Sequence, residues 1–513
     1  MKKTLPVCFF AIFLTLIPAV LIAQSYPPKR EFRGVWVASV ANIDWPSSQG
    51  LTPEEQRNEF KELVTFHKNN GLNALIVQVR PNADALYDSS YEPWSRWLTG
   101  KEGKAPEPYY DPLAFMIKEC RQQGMEFHAW FNPYRAIFDF NKAEIDSVSH
   151  VFFDHPEWIV TYGKHAYLDP GIPGAREHVV NVIMDVVNRY EIDGVHFDDY
   201  FYPYKIDTLQ FSDSTTFQRY NEGFGNIEDW RRNNINMLVK SVYDSIQSVK
   251  PHVKFGVSPF GVWRNQDVDP TGSDSKAGQT SYDDLYADVL TWLKNGWIDY
   301  VVPQIYFSIG YPPADYEKLL DWWSRNTYGR QLYIGQAAYK VNNNHDRSWL
   351  EPTQIGKQID MNRRNFQVDG SIYFSARSFN KNPLGLADTL RRNHYRYPAL
   401  IPQMSWLPKS ELQPPLEVKA ARDRHEVLVQ WNEDIHQDVR YYIVYAEEGE
   451  SEPNLSDSKT IIGRTYSPHL SFKEKGRGLF RKKHTIVVTA VDRQHQESIP
   501  SRPIRLKLHS LKD

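Results

Sequence analysis

The sequence runs to 513 residues, 41% apolar and 24% charged, a balance that fits a folded globular chain and leaves little room for disorder or collagen-like structure. Its 60 Lys and Arg against 63 Asp and Glu give a net charge of −3, so no global basic field draws it to nucleic acid or to an anionic membrane. The length predicts two or three domains, and the 14% of aromatic residues suits a large core as well as it suits stacking on sugar rings.

Residues 1–24 read as a signal peptide: Lys2 and Lys3, an apolar stretch from Leu5 to Ile22, and a small-residue exit at Ala23. An uncleaved anchor helix is the alternative, which Pro6 and Pro18 disfavour by interrupting the apolar run. No later segment is apolar enough to span a membrane. Cys8 precedes most of the apolar region, where a lipid-modified cysteine would follow it, so a lipoprotein is not expected. Leader removal leaves Cys120 alone, without an internal disulfide or a cysteine-rich metal site.

From Phe32 to about Leu390 one unit recurs, a short β-rich run followed by a helix-periodic stretch. The runs fall at 32–39, 74–79, 126–131, 194–199, 254–260, 299–307, 331–337 and 370–376. Thr52-Pro53-Glu54-Glu55 supplies an N-cap, a proline in the first turn and a capping-box Glu, with Gly71 closing the far end; Asp111-Pro112 and Gly124 bracket the next helix. Eight βα units predict an α/β fold, a (β/α)8 TIM barrel over residues 25–400, with a doubly wound open sheet as the alternative.

The parity of side chains along these runs carries more. One face is apolar and is expected to pack outward on helices: Leu75, Val77 and Val79; Phe127, Ala129 and Phe131; Val195 and Phe197; Phe255 and Val257; Val301 and Ile305; Ile372, Phe374 and Ala376. The inward set is then Gln78, Arg80, His128, Trp130, Asn132, His196, Asp198, Tyr200, Ser258, Gln304, Tyr306, Tyr333 and Ser375. Buried polar groups cost a few kcal/mol each unless satisfied, so their concentration near the strand C-termini points to a ligand; a self-satisfied polar core is the alternative.

A Pro-containing linker, 401–411, leads to a segment of short alternating runs, 412–513, that predicts a small all-β sandwich. PPLEV, VLVQW with Trp431, YYIVYAEE and TIVVTAVDRQHQESIPS resemble a fibronectin type III domain, with Ile486 where that family often carries a tyrosine.

The sharpest cluster is Asp193-Gly194-Val195-His196-Phe197-Asp198-Asp199-Tyr200. Glycoside cleavage needs a carboxylate near the anomeric carbon and a second carboxyl group to protonate the leaving oxygen. Asp198 is inward and at a strand C-terminus, where barrel enzymes place catalytic groups, and is the candidate nucleophile; Asp199 is the candidate second carboxyl group or an orienting residue. Helix caps and ion pairs are the structural alternatives for both.

Candidate substrate contacts are Trp36, Arg80, Asp84, Asn132, Tyr134, His196, Trp263, Gln304 and Tyr306, which offer hydrogen bonds and aromatic faces. Arg80 could hold a glycan carboxylate or pair with Asp84 or Asp198, and Asp169 in LDPG is a reserve general acid at a turn signal. Asp267, Asp269 and Asp274 imitate a calcium loop, but the twelfth position is Gly278, not Glu. Strand one lacks His-x-His and the other strand histidines are single, so neither a metal nor a cofactor is expected.

D-G-V-H-F-D resembles the fourth-strand motif of alpha-amylase-type glycosidases and, more loosely, of family 18 chitinases, although Tyr200 and SPFGVWRN stand where those families carry their acid Glu. FRGVWVAS, QVRPNADALY, HAWFNPYR, LDPGIPGAREHV, GVHFDDYFYP, SPFGVWRN and PQIYF together resemble the glycosyl-hydrolase-like family numbered ten over some 340 residues. That resemblance implies a secreted or periplasmic bacterial glycosidase acting on peptidoglycan strands or a related polysaccharide. The rival expectation is a non-catalytic glycan-binding barrel that lost its general acid. A glycan esterase is a third, against which stands the lack of a G-x-S-x-G elbow.

Overall fold

Alternation of apolar residues turns the eight runs into eight parallel strands, and hydrogen bonding between first and last closes them into a barrel. The computed structural model describes residues 27–140, 150–409, 411–423, 426–432, 438–473 and 483–506. The signal-peptide reading of residues 1–24, with Cys8, lies outside the described residues. The barrel strands are β1 (Phe32–Val37), β2 (Ala74–Arg80), β3 (Glu126–Phe131), β4 (Gly194–Phe197), β5 (Lys254–Val257), β6 (Tyr300–Val301), β7 (Gln331–Gln336) and β8 (Val368–Tyr373). Every strand pairs with its sequence neighbours, as a simple βα repeat requires. β6 is far shorter than the 299–307 run, because Pro303 lacks a backbone donor and leaves only an isolated bridge at Gln304.

Local signals behave as their chemistry demands. Thr52 and Glu55 form a reciprocal capping box on helix Pro53–Asn69, and Gly71 follows at φ +83°. Asp111 accepts the Ala114 N–H at 3.0 Å to cap Pro112–Gln122.

Side-chain parity divides the barrel into two apolar clusters. Leu75, Val77, Phe127, Ala129, Val195, Phe197, Phe255, Val257, Val301 and Ile305 pack with the helices outside, while Phe32, Trp36, Ile76, Trp130, Tyr300 and Tyr333 pack together inside. β8 corrects the expectation: Ile372 and Phe374 face the interior. Its helix-facing side is carried by Ser371, which accepts a hydrogen bond from Asn362 at 3.1 Å, and by Tyr373, whose hydroxyl meets that of Tyr395 at 2.5 Å. With a polar residue facing the helix and an apolar one facing the interior, hydrophobic alternation points the wrong way.

After β3 a small antiparallel sheet intervenes, Arg135–Ile137, Ile159–Tyr162 and His165–Leu168. Beyond the barrel, among the described residues, come seven more strands in two antiparallel sheets, one of three and one of four, enclosing Trp431, Tyr442, Val444, Ile486 and Val488. This all-β module sits against the N-terminal ends of the barrel strands. Arg440 pairs with Asp193 at 2.7 Å, His495 with Glu126 at 2.8 Å, and Arg493 with Glu191 at 3.1 Å. The 401–408 segment is packed rather than free: Ile401 joins the barrel interior cluster, Met404 donates its N–H to Gln494 O, and Trp406 donates to Asp299 at 3.1 Å. Among the described residues no helix is long and apolar enough to cross a membrane.

Candidate active site

At the opposite end, the C-terminal ends of the strands surround a cavity of about 530 Å³. All eight strands or the loops after them contribute: Trp36 and Ala38, Gln78, Trp130, Asp198 and Asp199, Ser258, Gln304 and Tyr306, Tyr339 and Lys340, and Phe374. Aromatic rings dominate the wall, and the carboxyl pair sits among them.

Asp198 and Asp199 are both buried, at 4% and 2% exposure. Asp198 accepts from Asn132 Nδ2 at 3.1 Å and from the Tyr200 N–H at 3.3 Å; Asp199 accepts from the Tyr204 hydroxyl. Burial pushes both carboxyl groups above the ordinary range, and the charge of Asp199 raises Asp198 further, against the pull of Arg135. Two such groups in one low-dielectric site titrate as a unit, so a proton is retained where an isolated pair would have lost both. Both carboxyl groups therefore hold their protons to higher pH than exposed carboxyl groups do.

One buried N–H group in the wall, Gln78 Nε2, has no hydrogen-bond partner among the described residues, whereas the Trp130 indole N–H is directed at Asp198. Gln78 spends its carbonyl oxygen on the Ser39 and Val40 N–H groups, at 3.1 and 3.0 Å, which fixes the amide with its donors uncommitted. Native proteins leave few such groups unpaired, and a polar ligand satisfies them. Two cations also line the cavity. Arg135 donates to Pro81 O and to Asn82 Oδ1, at 3.2 and 3.1 Å, and Lys340 donates to Tyr306 O at 2.6 Å; neither makes an ion pair among the described residues.

Of the residues expected from the sequence, Asp198, Asp199, Trp36, Gln304 and Tyr306 meet in this cavity. Asn132 and His196 stand behind it, Asn132 on Asp198 and His196 beneath Trp36, which donates to its Nε2 at 3.1 Å. The other four lie elsewhere. Arg80 is fully buried and bound to Glu92 and to the Asn132 and Pro133 carbonyls, so its charge is spent within the protein; neither Asp84 nor Asp198 is its partner. Burial opposes the charge on Glu92, but Arg80 and His178 outweigh it and hold the carboxyl at about 2. Asp84 accepts the Asn82 N–H at 2.8 Å in the turn after β2. Tyr134 is core, and Trp263 stacks on Trp322 at 5.6 Å. Asp169 accepts from Gly171 N–H and the Thr216 hydroxyl, the turn role its LDPG context implies, and does not line the cavity.

Sequence reasoning missed Arg135, Tyr204, Phe260, Phe307, Tyr339 and Lys340 in the wall. Arg135 and Tyr204 lie within the HAWFNPYR and GVHFDDYFYP neighbourhoods, where loop position after a strand was a usable signal; Tyr339 and Lys340 follow β7 in a stretch with no motif.

An eight-stranded parallel barrel whose strand C-termini enclose a carboxyl pair and aromatic walls defines a glycosidase-like protein. The chain matches the family model described as glycosyl hydrolase-like 10 over residues 31–351, and it belongs to that family. It is 45% identical over 504 residues to glycosyl hydrolase YngK of Bacillus subtilis, covering 96% of each chain, and 38% identical over 390 residues to glycosyl hydrolase DigH of Escherichia coli K12, covering 71% of this chain and 86% of that one. Among solved structures it is similar to the catalytic domain of a beta-amylase from Paenibacillus polymyxa, with TM-score 0.46, 11% identity and coverage of 72% and 99%. It is also similar to the PgaB (BpsB) glycoside hydrolase domain of Bordetella bronchiseptica, with TM-score 0.42, 12% identity and coverage of 70% and 99%.

Proposed function

We propose that the protein is an extracytoplasmic glycoside hydrolase acting on glycan strands of the bacterial envelope, peptidoglycan freed of its peptides or a related polysaccharide. The observation that carries the reading is the Asp198–Asp199 pair, two carboxyl groups buried in an aromatic cavity at the strand C-termini, both with raised pKa values. One group protonates the leaving oxygen while the other meets the anomeric carbon, directly or through water. Trp36, Trp130, Tyr306 and Phe374 supply faces for sugar rings, and the unpaired Gln78 N–H group supplies a donor to a hydroxyl or acetamido oxygen.

Lys340 and Arg135 add a preference for acidic glycan. Beside carboxyl groups whose raised pKa values weaken their negative charge, these two cations suit a carboxylate such as the lactyl group of muramic acid. Export rests on the leader reading of residues 1–24. The all-β module, taken as 412–513 after the barrel of 25–400 and the linker of 401–411, is read as fibronectin type III-like, supported by its three-plus-four strand arrangement around Trp431.

Incubating the purified chain with defined neutral and acidic glycans and analysing the products tests the reading. New reducing ends on peptide-free peptidoglycan are expected. Cleavage of neutral polysaccharide alone would keep the hydrolase and remove the envelope substrate, and binding without turnover across the panel would leave a glycan-binding barrel.

A further inference from the structure

Beneath the cavity a chain of buried side chains runs through the barrel into the C-terminal module. The Trp36 indole, in the cavity wall, donates to His196 Nε2 at 3.1 Å. His196 Nδ1 is 3.0 Å from the Tyr300 hydroxyl oxygen, and that oxygen is 2.9 Å from His128 Nδ1. His128 Nε2 is 3.0 Å from Glu126 Oε2, and Glu126 Oε1 is 2.8 Å from His495 Nε2 on the module. His495 Nδ1 lies 3.1 Å from the Tyr441 hydroxyl. All six residues from Trp36 to His495 are 5% exposed or less.

An indole N–H can only donate and a carboxylate can only accept, so Trp36 at one end and Glu126, held by His495, at the other fix the direction of the chain. His196 Nε2 accepts, so the ring carries its hydrogen on Nδ1 and donates to Tyr300; burial keeps this imidazole neutral. Tyr300 then has one hydrogen left, which goes to His128 Nδ1. His128 in turn donates from Nε2 to Glu126. Burial opposes charge on Glu126, but the Lys254 ammonium at 3.3 Å, with the ring N–H groups, outweighs it, so the chain ends on a carboxylate. Reversing the polarity would turn a His196 Nε2–H against the Trp36 N–H, two donors face to face in a dry site.

We propose that the C-terminal module is a working part of the active site, with His495 and Glu126 as positioning residues that orient this chain and so hold Trp36 and Ser258 in the cavity wall. Ser258 belongs to the same end, its Oγ 3.0 Å from His196 Nε2 and its carbonyl accepting from Gln304 at 2.8 Å. Any consequence for turnover rests on the glycosidase reading; the orientation of the chain does not.

Nitrogen-15 spectra of the imidazoles in the full chain test it. His196 and His128 are expected as opposite neutral tautomers, Nδ1–H and Nε2–H; matching tautomers, or an imidazolium at either position, would overturn the proposal without any variant being made. His495→Ala is then expected to shift the Trp36 indole resonance, assigned by loss in Trp36→Phe, and to raise glycan KM several-fold. Tyr300→Phe, which cuts the chain midway, is expected to give a comparable shift, and the double variant no more than either alone. An unmoved Trp36 resonance in His495→Ala, or additive shifts, would sink it. Because the spectra read the chain whether or not glycan is cleaved, a failed glycosidase reading and a failed positioning role give different results.

Discussion

The two ends of the barrel treat charge in opposite ways. At the N-terminal end the C-terminal module brings Arg440 onto Asp193 and the His495 imidazole, which burial holds neutral, onto Glu126, whose counter-charge is Lys254. At the C-terminal end Asp198 and Asp199 share a cavity with Arg135 and Lys340, and neither cation is held in an ion pair among the described residues. Paired charge stabilises a fold, whereas buried charge left to a ligand costs stability and is retained for chemistry. The contrast singles out the C-terminal end as the candidate site without appeal to any relative.

The largest effect belongs to the open end. Asp198→Asn and Asp199→Asn are each expected to lower glycan hydrolysis by about 10³-fold while leaving the circular dichroism spectrum unchanged. Azide rescue of one variant, and of the other only with an activated leaving group, would assign nucleophile and acid within the pair. A variant that turns over at the wild-type rate removes that residue from the chemistry.

Arg80 lies near the open end yet belongs with the paired groups. Glu92→Gln leaves its guanidinium buried without a counter-charge and is expected to cost about 3–5 kcal/mol in denaturant unfolding. Arg80→Ala should likewise destabilise without discriminating acidic from neutral glycans; a selective loss of acidic substrate would return it to the substrate contacts.

Between the ends, pH dependence should differ in sign. Asp198 and Asp199 have raised folded pKa values, so the folded state holds protons that the unfolded chain releases, and stability falls as pH rises from the ordinary carboxylate range through the folded values. Asp198→Asn is therefore expected to be more stable than wild type near neutral pH, on the order of 1 kcal/mol, with the gain fading toward pH 4. Glu126 is lowered, so its contribution is present above the ordinary range and lost as pH falls through its folded value; Glu126→Gln should be less stable at neutral pH and converge on wild type in acid. Thermal unfolding of both variants across pH reads this, and shifts of the same sign would break the contrast.

The smallest effect concerns specificity. Lys340→Met is expected to weaken acidic glycan about tenfold, roughly 1.4 kcal/mol, with neutral analogues little changed. Equal losses on both would make Lys340 a packing residue.

Much of this was legible in the amino-acid order because it depends on local pattern. Strand starts, the Thr52 capping box, the outward apolar face of β2 to β5 and the strand-end position of Asp198 and Asp199 follow from periodicity and cap chemistry alone. What closes over distance was not. Arg80 has Glu92 as partner, twelve residues on and across a turn, and nothing local distinguishes that from a free cation. Lys340 reaches the cavity because strand pairing brings the loop after β7 beside the loop after β6, where it donates to Tyr306 O. The β8 parity was settled by Asn362 on a neighbouring helix, which satisfies Ser371 and lets a polar side chain face outward. His495 looks like a surface residue of a separate module until docking sets it on Glu126, 369 residues earlier. Sequence pattern determines which side chains share a face; only the closed barrel and the docked module decide which charges find partners, since pairing energy depends on distances that no local period encodes.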